Sequence, residues 1–425
     1  MHAGQNPGIV RRRYTLVLLT AMSALAFMDR QILAVLVQPV KTEFALSDLQ
    51  IGLITGLGFA LTFSALGVPL GRLADRCERR GLIAWCRGAG GLLAALGALS
   101  TGFWGLMLSR AGGAVSDAGG APASMAMVAD LFPPEQRSRA MSVFGTGASI
   151  GALLALLGGS WMAQQWGWRA TLALVGLGSL GLALLLRASV TEPPRLQTAM
   201  QGAQPGAVRD LWRGGVTRWL IVGASCVLLA GYSFGAWNTA LLVRHHGLSL
   251  QGAGWVSGSA ALASVVGGLF SGWLTDRLAR RDPRWQIGVP VLGMLLALPA
   301  GLAYLMLPPG ALSGVVVLVV LYAFFITWWV APTYAALSLV VPAHRRATAS
   351  AVVLLAGSIF GSGLGPIFTG WLSDVLTPWV QGDGLRVALA CAVSMLLPGG
   401  LAFARAMQAY PAARTAADRL ALAAS

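Results

Sequence analysis

Twelve apolar runs follow one another along almost the whole chain. Each is about 20 residues or longer, enough to cross ~30 Å of hydrocarbon as a helix rising ~1.5 Å per residue. No other property narrows the possible folds as far. At 425 residues, a soluble chain would divide into about three domains. Here 56% of residues are hydrophobic, only 11% are charged, and the mean hydropathy is +0.70, whereas soluble domains carry roughly 25% charged residues. The solvent for most of this chain is lipid, and the expected fold is an all-α membrane protein of twelve transmembrane helices.

Reading apolar windows between charged or Pro/Gly-rich breaks places spans at 14–37, 49–71, 82–102, 104–130, 138–163 and 168–187. After a polar stretch from Thr191 to Val216, six more follow at 217–243, 252–273, 286–307, 311–340, 347–373 and 384–408. This predicts an N-terminal six-helix bundle over 1–190, a central loop over 191–216 and a C-terminal six-helix bundle over 217–425. Arg11-Arg12-Arg13 leads into the first run, which is too long for a signal-peptide core and has no small-residue cleavage site. It reads as the first span, with the N-terminus in the cytoplasm.

The net charge of +15 comes from one lysine, Lys41, and 29 arginines, and their positions explain it. Counting by side, 23 basic residues fall on one face and four (Lys41, Arg169, Arg244, Arg386) on the other, with Arg30, Arg87 and Arg110 inside spans. Positive loops stay cytoplasmic, so both termini are expected there. The pattern is topogenic and argues against nucleic-acid binding. Cys77, Cys86, Cys226 and Cys391 are scattered and support neither a disulfide framework nor a zinc site.

The chain repeats its own plan. Gly71-Arg72-Leu73-Ala74-Asp75-Arg76-Cys77-Glu78-Arg79-Arg80 follows span two, and Gly272-Trp273-Leu274-Thr275-Asp276-Arg277-Leu278-Ala279-Arg280-Arg281 follows span eight. Both read G-x-L-x-D-R-x-x-R-R in the same loop of their half, the mark of an internal duplication. Ala121-Pro122 in span four and Ala331-Pro332 in span ten agree, each followed by an Arg-Ala pair.

At these residues the chain resembles the major facilitator superfamily, whose signature is a G-x-x-x-D-R-x-G-R-R loop between spans two and three. Glu78 stands where that family usually has glycine. The resemblance implies two pseudo-symmetric six-helix bundles and a gate built on the repeated loops: Asp75 and Arg76 in one half, Asp276 and Arg277 in the other. In that family the loop aspartate caps the start of span eleven, here around Arg346 to Ser350, and Arg79 pairs with the acid ending span four, Asp130. The first half further resembles the spinster-like branch through Phe27-Met28-Asp29-Arg30-Gln31, Leu46 to Leu53 and Arg110 to Ala118. That branch usually has glutamate where this chain has Asp117. The anion–cation symporter branch also carries an Asp-Arg pair in span one.

Charge inside hydrocarbon costs roughly 2.5–3.5 kcal/mol per residue on insertion scales, so it marks function more often than not. Among 15 acids only Asp29 and Asp117 lie deep within spans. By helical rise, roughly 22 Å and 20 Å from the cytoplasmic ends of their spans, they share a depth near the midplane. Arg110 and Asp117 are two turns apart on one face of span four. The expected network has Arg30 or Arg110 neutralising whichever acid is ionised, with both arginines open to substrate as well. Moving a cation away from a buried acid switches its protonation, which is the physical basis of proton coupling; the spinster-like resemblance implies the same role. The alternative is a fixed ion pair holding spans one and four together.

The second half has no matching acid: aligning Pro122 with Pro332 sets Thr327 opposite Asp117 and Val320 opposite Arg110. It has aromatics instead. Tyr232, Asn238, Tyr322 and Trp329 carry polar handles suited to lining a central cavity. Gly361-Ser362-Gly363-Leu364-Gly365-Pro366 has no preceding strand and is not a dinucleotide loop. His245-His246 lack companion metal ligands, and no metal or cofactor is expected. Without a Walker motif, ATP-driven pumping is disfavoured; without a nucleophile–base pair in the spans, so is an enzyme.

The reading is a proton-coupled secondary transporter of a small amphipathic or lipid-like molecule, acting as a monomer in a bacterial inner membrane. An organic-anion symporter and a membrane sensor that has lost transport are the alternatives.

Overall fold

The computed structural model describes residues 9–192, 215–341, 346–380 and 383–424, and helix is the only regular secondary structure among them. The first six spans are α1 (Ile9–Phe44), α2 (48–76), α3 (Arg79–Leu99), α4 (Phe103–Leu131), α5 (134–166) and α6 (168–189). The second six are α7 (Gly215–Arg244), α8 (Leu250–Ala279), α9 (Trp285–Met306), α10 (Leu312–Val340), α11 (346–376) and α12 (384–424). Ten described stretches are long and apolar enough to cross a membrane. One of them, Gln136–Ser189, holds both α5 and α6, while the glycine-rich α4 adds a span without being apolar enough to join the ten. The chain is a multi-pass, all-helical membrane protein.

Several helices outrun the apolar windows. α1 continues to Phe44, α8 to Ala279 and α12 to Ala424. Hydropathy marks where lipid ends, whereas the backbone ladder continues into polar turns. At the α5–α6 boundary Gly167 takes φ +79°, a conformation only glycine enters cheaply, and splits the two spans. Beside it, Trp168 and Arg169 both donate to Glu43, and Arg169 also reaches the Ser100 carbonyl (3.1 Å). One turn thereby ties the end of α1 to the α3–α4 loop.

α2 opens on a reciprocal capping box. Gln50 N–H donates to Ser47 Oγ (3.1 Å), and Ser47 N–H donates to Gln50 Oε1 (2.9 Å). Lys41 pairs with Asp48 at the same turn. These are among the residues that carry the spinster-like resemblance, and their local work is to start the helix. In α10 the helix tightens to a 3₁₀ turn over Thr327–Trp329, just before Pro332, which has no N–H to continue the ladder. The glycine-rich Gly357–Leu364 segment of α11 is a π-helical widening, and a Cβ on Gly361 would lie 2.6 Å from the Tyr232 ring.

Contacts divide the chain into two compact units, Met1–Ala199 with Leu248–Gly258, and Met200–Gly247 with Ser259–Ser425. The first turns of α8 group with the first unit, where Gln251 N–H donates to Gln164 (2.8 Å). Within that unit α3 packs closely between α4 and α6. A Cβ on Gly90 would sit 2.5 Å from that of Ser116, and one on Gly91 would sit 2.7 Å from the Gly176 carbonyl. Small residues let membrane helices approach this far, bringing polar side chains on α3 and α4 into direct contact.

Candidate functional site: two buried ion pairs

Among the described residues of the first unit, two ion pairs join charges well away from the helix ends. Arg110 of α4 crosses to Asp29 of α1. Its Nη2 donates to both carboxylate oxygens (3.0 and 2.9 Å), and its Nη1 donates to the Asp29 carbonyl (2.8 Å). Both side chains are nearly sealed, at 4% and 9% exposure. Gly113 makes room for them: a Cβ there would lie 2.7 Å from Asp29 Oδ2.

The second pair differs from the sequence expectation. Neither Arg110 nor Arg30 meets Asp117 in these pairings. Its partner is Arg87 of α3, whose Nη1 donates to Asp117 Oδ1 (3.1 Å) and to Ser116 Oγ (3.2 Å). Two turns of helix do align Arg110 with Asp117 along α4, but the long guanidinium reaches across to α1. Arg30, adjacent to Asp29 in sequence, lies over the rings of Phe59 (4.5 Å) and Phe27 (5.8 Å), a cation–π seat. Asp117 is within Coulombic reach of Asp29. The cluster therefore has two carboxylates, each held by a guanidinium from a neighbouring helix.

Arg87 is the residue that reading by charge pattern passed over. It was visible as one of three arginines inside spans, flanked by Gly88, Gly90 and Gly91. Gly120 accommodates it, since a Cβ there would lie 2.6 Å from Arg87 Nε.

At the end of α4, Asp130 pairs with Arg79. Glu192 holds the same loop from another direction: its two oxygens accept from the backbone N–H groups of Arg79 and Arg80, both at 2.8 Å. A carboxylate at a helix N-terminus satisfies donors that the helix itself leaves open. Glu78, at the position where the family has glycine, is engaged by Arg80 and Arg187. Arg76 is exposed, as are Asp276 and Arg277, the latter over the Trp273 ring. The Asp75 side chain and residues 342–345 before α11 lie outside the described residues.

Of the four polar side chains that the sequence suggests for a cavity wall in the second unit, three are buried. Tyr322, Asn238 and Trp329 are 1%, 4% and 7% exposed. Tyr304 donates to Asn238 Oδ1 (2.8 Å), satisfying it within the bundle. Tyr322 packs on Phe234 with ring centroids 4.5 Å apart, and a Cβ on Gly301 would sit 2.7 Å from its ring. Tyr232 alone of the four is exposed.

The family model described as Major Facilitator Superfamily matches residues 19–366. The chain belongs to the major facilitator superfamily. It is 35% identical over 406 residues to an MFS-type efflux pump of Mycolicibacterium smegmatis, covering 94% of each chain. It is 27% identical to rat protein spinster homolog 1, covering 87% of this chain and 75% of that one. In structure it superposes with a TM-score of 0.86 on a bacterial homologue of the human lysosomal transporter Spinster in an inward-facing, unoccupied conformation. That match has 26% identity and covers 97% and 99% of the two chains. This superfamily member is thus a spinster-like membrane transporter, not an enzyme.

Proposed function

We propose that the chain is a proton-coupled secondary transporter that moves a small amphipathic or lipid-like molecule across a bacterial inner membrane by alternating access. The observation that carries this reading is the pair of acid–arginine bridges inside the first unit, Asp29–Arg110 and Asp117–Arg87. Two such charges are expensive to hold in a membrane and are retained where they serve a pathway.

A proton arriving on Asp29 cancels the charge that Arg110 bonds, leaving a buried guanidinium in need of another anion or of water. The helices carrying the pair, α1 and α4, then gain a reason to move. Arg30, on its aromatic seat, and Tyr232, exposed on α7, are the side chains proposed to meet substrate. Arg79–Asp130, steadied by Glu192, is proposed as part of the cytoplasmic gate, with Asp75 and Arg76 in the same loop and Asp276 and Arg277 in its repeat. The efflux-pump relative supports transport as the activity.

The test is flux in proteoliposomes under an imposed pH gradient, with candidate lysolipids and carboxylates first screened by thermal shift, because a binder stabilises the folded state. Asp117→Asn and Asp29→Asn are expected to insert normally and lose pH-driven flux. Unchanged proton-driven flux in both variants refutes the coupling role.

A further inference from the structure

Spans α1, α5 and α6 enclose an open groove of about 480 Å³ in the first unit. It runs from Val17 to Leu25 on α1 and from Val143 to Leu154 on α5, with Leu182 of α6 beside it. Val17 is 64% exposed and Ile150 46%, so in a membrane these walls face lipid. Two hydroxyls line the groove, and both are engaged by their own helices. Thr20 donates to the Leu16 carbonyl (2.8 Å) and Thr146 to the Val143 carbonyl (2.7 Å). What remains for a ligand is hydrocarbon surface.

The length of the groove matches one leaflet. Val143 to Leu154 is a rise of roughly 16 Å, about half of a ~30 Å hydrocarbon core. One end is basic. A turn before Val17, the same face of α1 carries Arg13, and a turn before Val143 the same face of α5 carries Arg139; both are exposed. An apolar channel one leaflet deep, with two guanidinium groups at the level of the headgroups, has the chemistry of a diacyl lipid with a negatively charged phosphate. Guanidinium pairs with phosphate oxygens through parallel hydrogen bonds.

We propose that this groove binds one anionic phospholipid, an acyl chain lying against α1 and α5 and the phosphate held between Arg13 and Arg139. The site lies apart from the buried ion pairs and is independent of what the protein transports. Placing the lipid in the cytoplasmic leaflet rests on the arginine distribution, whereas binding in detergent does not.

Native mass spectrometry of the full chain, delipidated and then given equal phosphatidylglycerol and phosphatidylethanolamine, tests it. The wild type is expected to retain phosphatidylglycerol in preference. Arg13→Gln with Arg139→Gln is expected to lower that preference roughly tenfold while phosphatidylethanolamine retention stays the same. Ala21→Trp, which fills the groove floor, is expected to reduce retention of both lipids. Equal retention of the two lipids by the wild type overturns the site, as does an undiminished preference in the arginine variant. The arginine variant changes only exposed side chains and decides the question even if Ala21→Trp does not fold.

Discussion

Arg87 and Asp117 meet at 3.1 Å between α3 and α4, with the arginine side chain 2% exposed and the aspartate 17%. The arginine is sealed from water, and the aspartate is only partly open to it. Deleting one partner of such a pair costs ~3–5 kcal/mol, whereas replacing both with apolar groups is often neutral. Asp117→Leu is therefore expected to lower the thermal midpoint in detergent sharply, and Arg87→Leu with Asp117→Leu to restore most of the loss. A double variant no more stable than the single one would show that the two residues are not energetically coupled.

The two glycines facing these pairs give a second expectation. A Cβ at position 113 would lie 2.7 Å from Asp29 Oδ2, and one at position 120 would lie 2.6 Å from Arg87 Nε. Alanine is intrinsically the better helix former by ~1 kcal/mol, but overpacking a filled site costs ~1–3 kcal/mol. Gly113→Ala and Gly120→Ala should thus unfold at lower temperature than the wild type. Gly181→Ala, where a Cβ meets nothing within 4 Å, should not. Equal midpoints for all three variants would mean the ion pairs have room to spare.

Span number was legible because hydropathy responds to lipid, whereas helix ends that run on into polar turns, as at Phe44 and Ala424, were not. The α5–α6 break fell within a few residues of Gly167. Pairing was less legible. A helical repeat says which residues share a face of α4, so Arg110 and Asp117 were placed together; it says nothing about which neighbour a long side chain reaches. Arg87 could be found only by asking why three glycines surround a charge, since close approach by a partner helix is what glycines in a span permit. The pairing of Asn238 was hidden for a related reason. Asn238 needs a hydrogen-bond partner, and only the packed bundle reveals that Tyr304 supplies it.

Glu192 gives a third expectation at the opening of α3. Its carboxylate accepts from the N–H groups of both Arg79 and Arg80, and Arg80 returns a bond to the Val190 carbonyl (2.9 Å). Losing a side-chain cap at a helix start typically costs ~1 kcal/mol. Glu192→Ala should lower stability by about that amount, with Glu192→Gln intermediate because it keeps one oxygen acceptor. Hydrogen exchange at Arg79 and Arg80 should rise in the alanine variant. Unchanged exchange would mean that another group caps α3.

The loop after α7 gives a pH expectation. Burial pushes His246 below its ordinary 6.5, and the nearby charges of His245 and Arg386 push the same way. Its Nδ1 is sealed without a hydrogen-bond partner among the described residues, and its ring packs against His245 and Tyr304. The folded protein therefore keeps the neutral imidazole, while the unfolded chain takes up a proton at the ordinary value. Below about pH 6.5 the unfolded state binds more protons, so stability is full above that pH and declines as pH falls toward the lowered folded value. The wild-type thermal midpoint should drop between about pH 7 and 5.5, and His246→Gln should drop less over the same range. Parallel curves for the two proteins would place the acid sensitivity elsewhere.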